Sequence, residues 1–243
     1  MSLGADAGIM KRLRPPDRQV ERPWQHHRVG AEFEPHTRGI RGRMQKLGPK
    51  HRMCRRVGAA VCGRPNCPTN KKPYPPGQHG RARRRLTEYH IRMLEKQKLR
   101  AIYGVGERQF RRYFRDAVRK KTVTGEELLR LLETRLDTLV LRLGFAQTMP
   151  QARQLVSHGH ILVDGKKIDV PSANVRAGQT IAANPAAKNF ISVREALEVT
   201  LDPPPYLERD KDNVTGRLIR VPFRPEIPLP VPIEERLIVE FMS

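Results

Sequence analysis

The sequence predicts an α+β protein: a mostly helical lobe whose N-terminal segment is gathered at a Cys/His cluster, joined to a small α/β module of two helices and a short antiparallel sheet. Three observations predict it. All three cysteines, Cys54, Cys62 and Cys67, fall in "HRMCRRVGAAVCGRPNC", with His51 three residues before the first. Apolar residues recur at helical spacing through much of 86–144, and beyond 148 a short helical stripe gives way to alternating runs around Asp164-Gly165. Charge is also segregated within a formal net of +22: residues 50–121 hold 22 Lys/Arg against four Asp/Glu, while 122–243 hold 15 against 16. Such a block repels itself unless a polyanion is near.

Residues 1–44 mix Arg, His, Pro and Gly with few core formers and contain the sole tryptophan, Trp24. They read as an irregular basic arm, ordered on a partner or else a plain disordered tail. No apolar run reaches membrane-spanning length. The opening "MSLGADAGIMKRLRPP" lacks the apolar centre of a signal peptide, so a cytosolic, reducing setting is expected. No basic amphipathic helix with an aromatic and leucine face appears either, which favours nucleic acid over a membrane surface as the polyanion.

The cluster itself reads His-x2-Cys-x7-Cys-x4-Cys. Pairs at such spacing on tight turns supply the four N or S ligands of structural zinc, and Gly58, Gly63 and Pro65 provide the turns. Three buried or free thiols beside a surface histidine would show the same letters. A closed Cys3His set leaves no open position for hydrolysis, and an iron–sulfur cluster suits a single histidine less well. Zinc here would fold a segment too polar to make its own core and would fix Arg55, Arg56 and Arg64 beside the basic block.

Next, "KKPYPPGQHGRARRR" at 71–85 is an extended cationic loop, since its Pro and Gly exclude regular helix. "LTEYHIRMLEKQKLRAIY" is a helix N-capped by Thr87 that stops before Gly104. In "GERQFRRYFRDAVRKK" the residues Phe110, Tyr113, Phe114, Ala117 and Val118 make one apolar stripe, and Arg108, Arg111, Arg112, Arg115 and Arg119 cover the rest. "TGEELLRLLETRLDTLVLRLG" reads as one helix from a Thr124/Glu127 capping box to Gly144. Within 135–181, Thr148 and Gln151 suggest another capping box with Pro150 in the first turn, and Gly159 is the stop. "HILVDGKKIDV" is a hairpin about Asp164-Gly165, and "QTIAA" is a third strand. "KNFISVREALEV" looks helical, a short strand is expected near Leu218–Val221, and "RLIVEFM" alternates as a final strand with Leu237, Val239 and Phe241 on one face.

"RPNCPTNKKPYPPGQHG", "MLEKQKLRAIYGVGERQFRRYF", "QARQLVSHGHILVDGKKIDVPS" and the ending "IPLPVPIEERLIVEFMS", in this order, resemble the bacterial small-subunit ribosomal protein S-four family from about residue 45 onward. The resemblance implies a domain plan of 1–44 as an added arm, 45–134 as an N-terminal rRNA-binding domain with a zinc-clasped segment, 135–182 as the small α/β module, and 183–243 completing the helical lobe. It implies a structural constituent of the small ribosomal subunit, in the cytoplasm, that binds the 5′ domain of 16S-type rRNA at a multi-helix junction early in assembly. It further implies a place where mRNA enters, beside ribosomal proteins S-three and S-five with a functional link to S-twelve, a role in decoding fidelity, and no homo-oligomer. Family members with zinc use Cys-x2-Cys and Cys-x4-Cys. The resemblance thus implies one structural zinc on His51, Cys54, Cys62 and Cys67, with His51 standing where the first cysteine would be. This chain departs from the family at Met149-Pro150, where two arginines are frequent, and at Asp164, where Asn is usual.

On this reading RNA is gripped at phosphates and 2′-hydroxyls by Arg81, Arg83, Arg84, Arg85, Lys96, Lys98, Arg100, Arg108, Arg111, Arg112, Arg115, Arg153, His158, His160, Lys166 and Lys167. His158 and His160 equally suit plain turn positions at a helix end. Tyr74 and Tyr103 would stack on bases or else pack against proline and core. An RNA-modifying enzyme would need a phosphate loop, a nucleophile elbow or paired acids that the rest of the chain lacks, and Asp137 and Asp169 read as caps or arginine partners. A zinc-dependent DNA binder would need a recognition helix after Cys67, which "PTNKKPYPPG" cannot form.

Overall fold

A computed structural model describes residues 51–64, 66–82, 87–200 and 202–243. The expected arm at 1–44, with Trp24, lies outside the described residues, as do Pro65 and the arginines at 83–85.

Local signals in the first half mostly became the elements they suggested. Helix α1 (Arg52–Val57) stops at Gly58, whose φ of +76° is the left-handed conformation a C-terminal cap requires. Helix α2 (Glu88–Ile102) begins where the Thr87 hydroxyl accepts the His90 N–H. Helix α3 (Glu107–Val118) buries Phe110, Tyr113, Phe114 and Ala117, but the fifth stripe residue, Val118, ends the helix and stays exposed.

The single helix expected over 124–144 is two, α4 (Thr124–Glu133) and α5 (Leu136–Arg142). Tertiary pairing breaks it. Arg135 adopts an extended conformation and bridges Asn174, Val175 N–H donates to Thr134 O, and Leu136 and Asp137 donate to Ala173 O and Pro171 O. The chain surrenders helix hydrogen bonds at this corner and recovers them from the 171–175 segment. Neither capping box forms. Val123, without a side-chain bond, caps α4, and Glu127 turns to Lys120 and Arg130. Before α6 (Met149–Ser157), Gln151 accepts the Gln147 N–H rather than pairing with Thr148.

The sheet holds five antiparallel strands in the order β2-β1-β3-β5-β4: β1 (Ile161–Val163), β2 (Lys166–Lys167), β3 (Thr180–Ala183), β4 (Leu207–Asp210) and β5 (Thr215–Leu218). The Asp164-Gly165 turn has positive φ at both residues (50° and 77°), as a two-residue primed turn demands. β5 begins three residues before the strand expected at Leu218–Val221, and β4 carried no alternating signal. α7 (Pro185–Lys188) and α8 (Ile191–Val199) lie between β3 and β4. The final strand is corrected: "RLIVEFM" lies in helix α9 (Glu235–Met242), which packs on α2 and α4 and buries Ile238 completely. In eight residues the two periods differ little, and the groove offered by α2 and α4 decides between them.

Two hydrophobic cores result. One lies under the sheet, from α5, α6, α8, Tyr206 and the inward strand residues such as Ile161, Ile181 and Leu218. The other joins Cys54 and Cys67 to Leu99, Tyr103, Phe110, Phe114, Leu132 and, from the C-terminal end, Ile227, Ile233 and Ile238. Residues 183–243 therefore divide: the stretch up to Leu218 extends the sheet and its core, and the remainder returns to the helical core. No described helix is long and apolar enough to cross a membrane.

Candidate metal centre and nucleic-acid interface

The Cys/His cluster converges. His51 is the residue before α1, Cys54 sits in α1's first turn, Cys62 lies within a tight turn in which Gly63 N–H bonds Ala60 O, and Cys67 precedes a 3-10 turn at Pro68–Asn70. One ligand atom from each lies within 4.8 Å of the others. His51 Nδ1 stands 3.7 Å from Cys62 Sγ and 3.6 Å from Cys67 Sγ. Ligands at zinc's usual 2.0–2.3 Å in a tetrahedron stand roughly 3.3–3.8 Å apart, so the donor set and the two His51–thiol distances fit one such ion, and the wider pairs, within 4.8 Å, would close by about an ångström on binding.

The thiols are electrostatically unequal. Burial pushes Cys54 up to about 12. Cys67 is brought down to about 6: burial opposes the charge, but hydrogen bonds from the side chain and backbone of Thr69, then from Cys62 and His51, outweigh it. Cys54 and Cys67 are also members of the helical core, so whatever ties them together ties the basic segment to that core.

The expected RNA-binding cations fall into three groups. Arg108, Arg112 and Arg115 are exposed on α3, and among the described residues no carboxylate lies within salt-bridge range of them. Arg111 shares their face but pairs with Glu107. Lys166 and Lys167 are exposed on β2, beside exposed His158 and half-buried His160, whose ring meets Phe190 edge-on at 5.0 Å. The Lys167 stem crosses Gly159 so closely that a β-carbon there would sit 2.0 Å from its Cε.

Structural contacts occupy the second group. Lys96 is 5% exposed, bonds Glu107 at 3.0 Å and lies over the Phe241 ring. Lys98 pairs with Glu95, and Arg100 with Glu107 at 2.8 Å. Three cations on Glu107 hold its carboxyl below the ordinary range despite partial burial. Arg153 donates to Gly104 O at 2.8 Å, and its own burial lowers its proton affinity. In the third group Arg81 lies over the ring of Tyr74, while Arg83, Arg84 and Arg85 are outside the described residues. Tyr103 is fully buried, hence core and not a stacking platform. Asp164 spends its carboxylate on the Thr180 N–H and the Gln179 amide, so its charge serves the turn.

Sequence reasoning gave Asp137 a cap or an arginine partner, and Arg135 is that partner, but it missed the buried polar joint that the pair makes between the cores. Arg135, with no exposed surface, grips Asp137 through Nε (2.9 Å) and Nη2 and donates to Tyr113 OH at 2.8 Å. Beside it, Glu133 accepts Tyr206 OH at 2.9 Å and Arg142 Nε at 2.6 Å. Burial first, and then Glu133, pushes the Tyr206 hydroxyl well up. The only sequence signal was a polar cluster, "ETRLDT", inside a leucine-rich run.

Residues 45–133 match the family described as "Ribosomal protein S4/S9 N-terminal domain", and residues 134–181 match the "S4 domain". A protein of Rubrobacter xylanophilus is 49% identical over 196 residues, one of Dictyoglomus turgidum 50% over 204, and one of Thermus thermophilus 47% over 206. Each alignment covers 81% of this chain and 97–98% of the relative, and each relative bears the name small ribosomal subunit protein uS4.

Proposed function

The chain belongs to the ribosomal protein S-four family of the small subunit, and from that membership we propose that it anchors to the 5′ domain of 16S-type rRNA, at a multi-helix junction, early in subunit assembly. It is a ribosomal protein and not an enzyme. The observation that carries the RNA reading is the exposed face of α3: Arg108, Arg112 and Arg115 point outward from a helix whose opposite side is locked in the core. Phosphates recognised by such a face are read by position and shape. Lys166 and Lys167, with His158 and His160, supply a second patch on the α/β module.

Zinc is the metal we assign to the clasp, held by His51, Cys54, Cys62 and Cys67. It supplies no reaction there, only a cross-link between a polar segment and the helical core, so that Arg52, Arg55 and Arg56 of α1 are ordered before RNA arrives. In the assembled cytoplasmic subunit the reading places the protein where mRNA enters, in contact with ribosomal proteins S-three and S-five, functionally linked to S-twelve, and able to influence decoding fidelity.

The test is binding of purified protein to a 5′-domain RNA fragment and to a scrambled RNA of equal length. Specific binding should exceed the control at every salt concentration, and replacing Arg108, Arg112 and Arg115 together by alanine should lower the log K against log [salt] slope by roughly two to three contacts' worth. Equal affinity for both RNAs would refute the assignment.

A further inference from the structure

Beside the clasp, a guanidinium from α1 and one from the following loop meet at one tyrosine, and among the described residues no acid pairs with either. Arg55, the neighbour of Cys54 in α1, donates from Nε to Tyr74 O (3.2 Å) and from Nη2 to Pro75 O (3.4 Å), and its guanidinium lies over the Tyr74 ring, 5.1 Å from the centroid. Arg81's guanidinium lies over the same ring at 5.0 Å, and its Nη2 donates to the phenolic oxygen at 3.4 Å. The Tyr74 hydroxyl is held below its ordinary range, by the Arg81 hydrogen bond first and then, against slight desolvation, by the charges of Arg81, Lys72 and Arg55. Among the described residues no carboxylate pairs with Arg55, Lys72 or Arg81.

Elsewhere in the basic block the acids are spent on cations: Glu88, Glu95, Glu107 and Asp116 each hold at least one. Here the fold gathers like charges instead, using the face of an aromatic ring and two backbone carbonyls to keep guanidiniums together against their repulsion. What the arrangement lacks is an anion with several oxygens, and guanidinium forks match phosphate in shape.

We propose that Arg55 and Arg81 form a phosphodiester-binding site built on Tyr74, which takes a backbone phosphate of RNA, with Tyr74 as its positioning residue. The proposal rests on the RNA-binding reading above and adds to it a named site and a path to the clasp: Cys54 fixes α1, α1 aims Arg55, and Arg55 and Tyr74 together aim Arg81.

The experiment measures the salt dependence of binding to the 5′-domain RNA fragment for the full chain and for Tyr74→Ala, Tyr74→Phe, Arg81→Ala and the Tyr74→Ala/Arg81→Ala double variant. Metal content and thermal midpoint, measured on each, confirm that the clasp and core are intact. Arg81→Ala should lower the slope by about one contact's worth, roughly 0.7–0.9. Tyr74→Ala should lower it by a similar amount although it removes no charge, the double variant should fall no further than the lower single, and Tyr74→Phe, which keeps the ring, should retain most of it. A wild-type slope in Tyr74→Ala, or strictly additive losses in the double variant, would overturn the proposal while leaving the protein an RNA binder. If the wild-type protein shows no preference for this RNA, the functional reading itself fails. Saturable binding of inorganic phosphate, lost on Arg81→Ala but with the RNA slope unmoved by it, would make this a site for a free phosphate and would equally overturn the RNA assignment.

Discussion

Replacing Asp137 by alanine should unfold the joint between the two cores at a cost that the structure sets. Asp137 has no exposed surface, accepts Nε and Nη2 of equally buried Arg135, and accepts the Thr138 N–H at 3.0 Å. The alanine variant leaves a guanidinium in the interior that keeps its hydrogen bond to Tyr113 OH, at 2.8 Å, but has lost its counter-charge. Breaking one side of a buried pair costs about 3–5 kcal/mol, since the surviving charge keeps its desolvation penalty. For a chain of 243 residues each kcal/mol moves the midpoint by about 2–4 °C, so Tm should fall by about 6–20 °C. Calorimetry with circular dichroism at neutral pH reads this directly. The companion variant Arg135→Met/Asp137→Leu removes both charges and should recover most of the loss, giving a large coupling in the double-mutant cycle. A single variant within about 1 kcal/mol of wild type, or a double variant worse than the sum of the singles, would refute the reasoning that the pair's own charges are what hold each other in place.

Two further outcomes follow from the same physics. Metal analysis by mass spectrometry should find one zinc per wild-type chain, with occupancy reduced in His51→Ala and abolished in Cys67→Ala; uptake should release protons, because the Cys54 thiol, pushed up to about 12, must ionise to become a ligand. At the C-terminal end, Arg220's hydrogen bonds and the Phe223 N–H lower Glu226 from its ordinary 4.5 to about 2. A depressed carboxylate stabilises above its unfolded value, so the advantage of wild type over Glu226→Gln in urea unfolding should be complete above about pH 4.5, shrink as pH falls, and vanish by about pH 2. An advantage that grows on acidification would contradict it.

What could be read in the letters was whatever depends on a few adjacent residues. The Asp164-Gly165 turn needs positive φ at two positions and the sequence names them; the α3 stripe needs only its own period; the clasp needs four donors on short spacings, and His51 is close enough to take the first place. What could not be read depends on partners far along the chain. The break at Thr134–Arg135 exists because 171–175 offers its carbonyls, and α9 is a helix because α2 and α4 present a groove. The same reason divides the arginines and lysines. Lys96 and Arg108 carry the same sign in the same basic block, but only the fold shows that one is buried against Glu107 and Phe241 and the other faces outward.

That division is itself informative about mechanism. In residues 50–121 the four acids are not scattered to dilute the charge: Glu88, Glu95, Glu107 and Asp116 draw Arg92, Lys98, Lys96, Arg100, Arg111 and Arg119 into ion pairs. Most of these pairs lie along α2 and the start of α3, the side on which the C-terminal helix closes. Among the described residues the cations left over include Arg108, Arg112 and Arg115 on α3, Arg55 and Arg81 at Tyr74, and Arg52, Arg56, Arg64, Lys71, Lys72 and Lys121. Pairing them with acids would raise stability without RNA and weaken attraction for it, because every internal partner must be displaced before a phosphate can take its place. A chain that leaves such cations without an acid accepts self-repulsion in isolation and recovers that free energy on binding. Its intrinsic stability must then come from elsewhere, and the two hydrophobic cores, one of them including Cys54 and Cys67, are there to supply it.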